Sequence, residues 1–230
     1  MLVSTPGFVL HTTPYGESSV IAKVFTRLLG ERSYIIKGVR GNNARVKQNL
    51  LQPLSCLDMV VYDNPKTELN HVKEVSLRHP GQASDPVANA LRFFMTEVLY
   101  KSLQEAEPMP ALFDYVEETL DSSDMPAPHV PIVFLLTVTH HLGIEPLDNH
   151  CQREPLFDLQ EGRYVAAAAE TTLSLQLSAL LHDYLAAGPL PAAAPPQRRQ
   201  LLDALLAYCQ LHLNGFGRFT SHEILHTVLR

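Results

Sequence analysis

The sequence predicts an α+β fold in which a small β-domain precedes an α-helical domain. The first 78 residues contain about five short segments rich in β-branched residues, separated by turn signals. Beyond residue 86, apolar residues recur instead at three- and four-residue steps, which is the period of a helix. A chain of 230 residues is long enough for two domains. We therefore predict a β-domain at residues 1–80 and a helical domain at 81–230.

The predicted strands follow one another closely along the chain. A short strand at Phe8–His11 comes first, and SSVIAKVFT (18–26) and RSYIIK (32–37) form a hairpin around the turn LLGE. Two further strands, 54–62 and 69–77, flank the turn signal DNPKT. About five strands in under 80 residues indicate a small antiparallel barrel or a sandwich.

The helical domain begins after HPGQASDP, in which Ser84 or Asp85 can cap a helix. One region does not fit the helical period: residues 145–166 are polar and broken, and they predict a small irregular insert with a hairpin at LFDLQEGRYV. Helical patterns cover residues 87–99, 112–120, 130–142, 172–187, 197–213 and 221–229.

Charge is divided unevenly between the two predicted domains. The chain has a net charge of −6, but residues 1–78 hold ten Lys and Arg against six Asp and Glu, and the remainder is at −10. Within residues 23–47 only Glu31 is acidic, and the basic residues there are Lys23, Arg27, Arg32, Lys37, Arg40, Arg45 and Lys47. This concentration of positive charge on and beside strands is the arrangement that a single-strand binder needs to follow a phosphate backbone.

A single-strand binder also needs an aromatic ring on which bases can stack. Tyr34 is the nearest candidate, and Phe25 and Tyr15 are others. The alternative is that the basic residues only solvate one face, with Phe25 and Tyr34 pointing into the barrel. Gly38 and Gly41 suit a loop whose backbone approaches a ligand closely.

No pattern in the sequence predicts a reaction, a metal site or a membrane span. GxSxG, HExxH, CxxC and phosphate-loop motifs do not occur, and no apolar run reaches roughly 18 residues. The imidazoles of His140, His141 and His150 with Cys151 invite a zinc hypothesis, but adjacent residues seldom reach one ion. We predict no catalytic residue, no cofactor, no metal and a cytoplasmic location.

These residues, in this order, resemble the RecO family of bacterial DNA repair and recombination mediators. The similarity is carried by GFVLHTTPYGESSVIAKVFTRLLGERSYIIKGVRG, with its YGE turn and its basic KGVRG loop, and by LLQPLSCLDMVVY. LGIEP at 142–146 and GFGRFTSHEIL near the end are also similar to the family. The resemblance implies an N-terminal OB-fold followed by an α-helical domain.

The resemblance also implies a function and partners. It implies binding to single- and double-stranded DNA without sequence preference, annealing of complementary strands and help in loading RecA on coated strands, in the nucleoid. The expected DNA-binding residues are Lys23, Arg27, Arg32, Tyr34, Lys37, Arg40, Arg45 and Lys47. RecR and the acidic tail of single-stranded DNA-binding protein are the implied protein partners, for which Arg198, Arg199 and Arg218 are the candidate contacts.

Two points stay open at the level of sequence. Many family members carry a four-cysteine zinc module where this chain has DNHCQREPLFDLQEGRYV, and Cys151 is the one cysteine in that stretch. The hairpin is therefore expected to persist without zinc. The net acidity of the chain also permits a protein-only adaptor, whose helical domain binds partners and whose barrel is structural.

Overall fold

The computed structural model describes residues 1–39, 48–64, 66–81, 85–103, 107–121, 125–186 and 188–229. The chain divides into two compact units, Met1–Ser122 and Ser123–Arg230. Strands come first and helices follow, so the predicted α+β class is confirmed. None of the helices in the described ranges is long and apolar enough to cross a membrane.

A closed barrel of five strands forms the first part of unit one in the residues described. The strands are β1 Leu2–Tyr15, β2 Ser19–Thr26, β3 Gly30–Ile36, β4 Cys56–Tyr62 and β5 Leu69–His79. They are arranged in the order β1-β2-β3-β5-β4, and all neighbours are antiparallel except β3 and β5. A short 3₁₀ helix at Gln48–Leu51 lies between β3 and β4. This OB-like barrel confirms the predicted fold of the β-domain.

The barrel core is filled by alternate residues of each strand, because successive side chains of a strand point to opposite faces. Gly7 of β1 also faces this core, where a Cβ atom would lie 2.6 Å from Cγ1 of Val24. The buried core side chains include Val20, Ala22, Val24, Tyr34, Ile36, Leu57, Met59 and Val61.

Two helices pack on the outside of the barrel within unit one. They are α1, Pro86–Ser102, and α2, Pro110–Asp121; the carboxylate of Asp85 accepts the backbone N–H of Ala88 and so caps α1. The ring of Phe113 in α2 contacts Phe8 and Phe25, with centroids 4.7 and 5.6 Å away. This aromatic contact joins α2 to β1 and β2.

Unit two contains four helices and one small hairpin in its described residues. The hairpin pairs β6, Leu156–Asp158, with β7, Arg163–Val165, as the sequence predicted. The helices are α3 Val130–His141, α4 Leu175–Leu185, α5 Pro195–His212 and α6 Ser221–Val228. α4 begins at Leu175 rather than at Thr172, where the sequence predicted its start, because the hydroxyl of Ser174 accepts the N–H of Leu177 and caps the helix.

Hydrogen bonds and packing hold the β6–β7 hairpin in place. The Asn149 amide accepts the N–H of Tyr164 at 2.8 Å and donates to its carbonyl at 3.0 Å. The Tyr164 hydroxyl donates to the carbonyl of Ser178, whose own hydroxyl accepts the N–H of Phe157. These bonds fix both strands and their packing on α4.

The candidate zinc ligands do not come together around the hairpin. Cys151 is exposed, His140 pairs with Glu145, and His150 stacks on His182 with ring centroids 4.4 Å apart. Among the residues that the structure describes, no group of three or more His, Cys, Asp or Glu is placed to hold a metal ion. The donor set therefore does not fit a structural zinc, which needs four ligands.

We predict that a chelator leaves the melting temperature of the full chain unchanged, since a hairpin held by side-chain hydrogen bonds loses nothing when metal is withdrawn. Thermal melts with and without excess EDTA test this, with zinc-saturated EDTA as the control. A melting temperature that falls with EDTA alone would show that metal contributes to the fold.

Candidate nucleic-acid interface

Two rows of side chains cross the outer face of the barrel. Paired residues on neighbouring strands share a face, and strands lie about 4.8 Å apart, so each row is continuous. The residues on these rows alternate along the strands with the core residues of the barrel. The first row is His11, Lys23, Ser33 and Leu69, and the second is Thr13, Ile21, Ile35 and His71.

Two loops border this outer face. The backbone N–H of Val39 donates to the carbonyl of Ser18 at 2.9 Å, which places the exposed Lys37 beside the turn between β1 and β2. The loop between β4 and β5 carries the exposed Lys66 and lies at the other end of β3, because Ser33 is paired with Leu69 at the start of β5. OB barrels bind oligonucleotides on the face between these two loops.

A groove of about 490 Å³ lies at the end of the face next to the β4–β5 loop. Among the described residues, the positive charges of the groove are largely balanced by two carboxylates, so the groove is only weakly basic. The Nζ of Lys23 lies 3.7 Å from Oε1 of Glu31, whose side chain is 6% exposed, and this buried carboxylate holds the lysine at the wall. The lining residues are Lys23, Glu31, Arg32, Ser33, Lys66, Thr67 and Glu68.

The structure separates Arg27 from the other predicted basic residues. Its guanidinium donates to both carboxylate oxygens of Asp114 in α2, at 2.7 and 2.9 Å. These hydrogen bonds raise the pKa of Arg27 and lower the pKa of Asp114. Arg27 is therefore neutralised by α2. Arg32, in contrast, lines the groove, and its guanidinium also donates to the carbonyl of Glu31.

The predicted stacking role of Tyr34 is wrong. Tyr34 is 1% exposed, shares its face with Ala22 and Ile36, and lies in the barrel core, where no base can reach its ring. Burial raises the pKa of its hydroxyl to about 12. Phe25 is also enclosed, but beneath Phe113 of α2. The alternative interpretation, in which both rings point into the barrel, is therefore correct for Tyr34 and not for Phe25. The sequence contained a signal for this burial: side chains two residues apart in a strand share a face, so Tyr34 points the same way as the apolar Ile36.

Three predicted contacts, Arg40, Arg45 and Lys47, lie outside the described residues and stay predictions. Lys66 also lines the groove but was not among the predicted DNA contacts, because an isolated lysine in a turn belongs to no recognisable sequence pattern. Only the pairing of β5 with β3 brings Lys66 to the groove that Lys23 also lines.

A shallow apolar groove in unit two contains two of the predicted partner-binding arginines. Arg198 and Arg199 of α5 line it, and the Nε of Arg199 is buried without a hydrogen-bond partner. Arg218 is 86% exposed and lines a different depression, beside Asp203 and Phe219. The apolar lining of the groove comes from α3, α5, α6 and the residue that follows α6, and it includes Pro131, Ile132, Leu202, Leu225 and Leu229. The structure thus brings Arg198 and Arg199 together and leaves Arg218 apart.

Comparison with known proteins agrees with this architecture. Residues 1–80 match the family described as Recombination protein O N terminal, and residues 83–221 match Recombination protein O C terminal. DNA repair protein RecO of Porphyromonas gingivalis is 30% identical over 246 residues, and that of Phocaeicola vulgatus is 27% identical over 236 residues. These matches cover 99% and 98% of both chains, respectively. The chain therefore belongs to the RecO family of DNA repair proteins.

Proposed function

We propose that the protein is a repair mediator that binds single- and double-stranded DNA on the outer face of its barrel, without sequence preference. The observation that carries this proposal is the placement of exposed Lys37 and Lys66 at the two loops that border the face, with Lys23 between them. Lysine ammonium groups recognise phosphates and carry no base preference, which accounts for binding without sequence specificity.

Annealing of complementary strands follows from the same charges. Two single strands repel each other through their phosphates, and cations that neutralise phosphates reduce this repulsion while the bases pair. No covalent bond is made or broken, so we assign no catalytic residue and no cofactor. A protein with this role acts in the cytoplasm on nucleoid DNA.

The test is the rate at which the full chain anneals two complementary labelled oligonucleotides, together with the salt dependence of its binding to one of them. We expect annealing faster than the spontaneous rate, and a log affinity that falls linearly with log salt, by about 0.7 for each phosphate neutralised. Absence of binding at low salt would overturn the proposal. That result would favour the second candidate, a protein-only adaptor built on the acidic residues after position 78.

We further propose that the Arg198–Arg199 groove receives the acidic tail of single-stranded DNA-binding protein. An apolar groove with cations at its wall complements a peptide that carries carboxylates and an apolar side chain. The buried Nε of Arg199 is a donor without an acceptor, and such a donor is costly until a ligand oxygen accepts its hydrogen bond. Through this contact the protein would reach coated strands and, with RecR, help to load RecA.

Replacing Arg199 with alanine should weaken binding of the tail peptide about tenfold, since the hydrogen bond from its Nε to a carboxylate is lost. Fluorescence anisotropy of a labelled peptide with the last ten residues of the tail measures this. Arg218→Ala is the matched control, because Arg218 lies outside the groove. Equal losses in both variants would contradict the placement of the tail.

A further inference from the structure

We propose that His11 and Tyr100 form the base-stacking platform of the interface, an inference that rests on the proposed binding of single-stranded DNA. With Tyr34 and Phe25 enclosed, the exposed aromatic rings of β1 are those of His11 and Tyr15. Tyr15 is paired with Ser19 at the turn, whereas His11 is paired with Lys23, which lines the groove. His11 of β1 is exposed on the outer face, and its ring lies 5.3 Å from that of Tyr100 in α1, at an interplanar angle of 41°. Imidazole and phenol rings both receive unstacked bases in nucleic-acid complexes.

The platform stands directly beside Lys23, one of the cations that line the groove. His11 is paired across the strands with Lys23, and the Nζ of Lys23 lies 5.4 Å from the centroid of the Tyr100 ring. Lys23 also lines the groove, so the row from His11 to Ser33 places an aromatic pair and a cation next to each other. This arrangement matches a nucleotide, in which a flat base lies beside a charged phosphate.

The position of His11 is fixed before any ligand arrives. Its backbone is part of the β1–β2 ladder, and its ring contacts Tyr100, which is only partly exposed and belongs to a 17-residue helix. A ring that is already supported loses little conformational entropy when a base stacks on it, so more of the stacking energy appears as affinity. The structure thus assigns His11 the outer position, supported by Tyr100.

The test compares an oligo-dT strand with an abasic strand of the same length, which carries the phosphates without the bases. We expect the full chain to prefer oligo-dT, and His11→Ala to lose about tenfold in affinity for oligo-dT while its affinity for the abasic strand is unchanged. His140→Ala is the matched control, since His140 is an exposed histidine of α3 in unit two, outside the barrel face. It should retain the preference for bases.

A second readout detects stacking itself. The chain has no tryptophan, so His11→Trp introduces a single indole whose fluorescence reports on this position. We expect oligo-dT to quench it at saturation and the abasic strand to leave it unchanged. Equal binding of oligo-dT by His11→Ala and His140→Ala, or no quenching in His11→Trp, overturns the platform and leaves the proposed function intact. If the unaltered chain binds neither strand at low salt, both proposals fall.

Discussion

Replacing Lys37 and Lys66 together with glutamate lowers the affinity for single-stranded DNA by about 100-fold at low salt, because each reversal removes a phosphate contact and adds a repelling charge. The two side chains are exposed at the two loops that border the outer face, so a strand that follows the face meets both. Anisotropy titrations over a series of salt concentrations measure the affinity. The salt slope should also become shallower by about 0.7 for each lysine replaced, since each reversal removes one phosphate contact on a single strand.

The control for this result makes the same change of charge elsewhere. Arg153→Glu with Arg163→Glu alters two exposed arginines near the β6–β7 hairpin of unit two. If total charge alone governed binding, this control would lose as much affinity as the lysine pair. A large loss confined to Lys37 and Lys66 is the outcome that supports a local site on the barrel, and equal losses would contradict it.

The second large effect concerns stability: Gly81→Ala should destabilise the full chain by about 3 kcal/mol. A Cβ atom at this position would lie 2.3 Å from the carbonyl oxygen of Pro53 and 2.6 Å from the backbone nitrogen of Ser55. Both are backbone atoms and cannot turn aside as a side-chain end can. The Gly81 N–H also donates to the hydroxyl of Ser55 at 3.1 Å, a bond that the required shift would lengthen.

Urea unfolding followed by circular dichroism measures this change. Gly188→Ala is the control, since a Cβ atom there meets nothing within 4 Å, and its stability should change by less than about 0.5 kcal/mol. Equal unfolding midpoints for Gly81→Ala and the unaltered chain would show that the segment after β5 adjusts without cost.

The spacing of hydrophobic residues predicted most helices and strands, but it underestimated the length of β1. The predicted strand covers Phe8–His11, whereas β1 runs from Leu2 to Tyr15. Pro6 and Pro14 interrupt the local strand pattern. Beyond residue 9, β1 pairs only with β2, and a proline is tolerated where a strand is paired on one side. Only the closed barrel shows which side of β1 is free.

Packing between distant segments was also beyond the local patterns. The change of period near residue 80 predicted where strands end and helices begin, yet the first compact unit continues to Ser122. Phe113 of α2 covers Phe25, and Asp114 neutralises Arg27. Neither contact can be recognised from neighbouring residues in the sequence. The sequence therefore assigned Arg27 and Phe25 to DNA binding, whereas in the structure both side chains contact α2. The charge pattern nevertheless pointed to Lys23, Arg32 and Lys37, which the barrel brings to its outer face or its edge.

Photocrosslinking tests the central claim most directly. A single-stranded oligonucleotide with photoreactive 5-iododeoxyuridine is bound to the full chain at low salt and irradiated, and the attached peptides are identified by mass spectrometry. We predict crosslinks to the peptides that contain His11, Lys23, Lys37 and Lys66, on β1 to β3 and the β4–β5 loop. Crosslinks confined to residues 125–229 would contradict the account and move the DNA site to the helical unit.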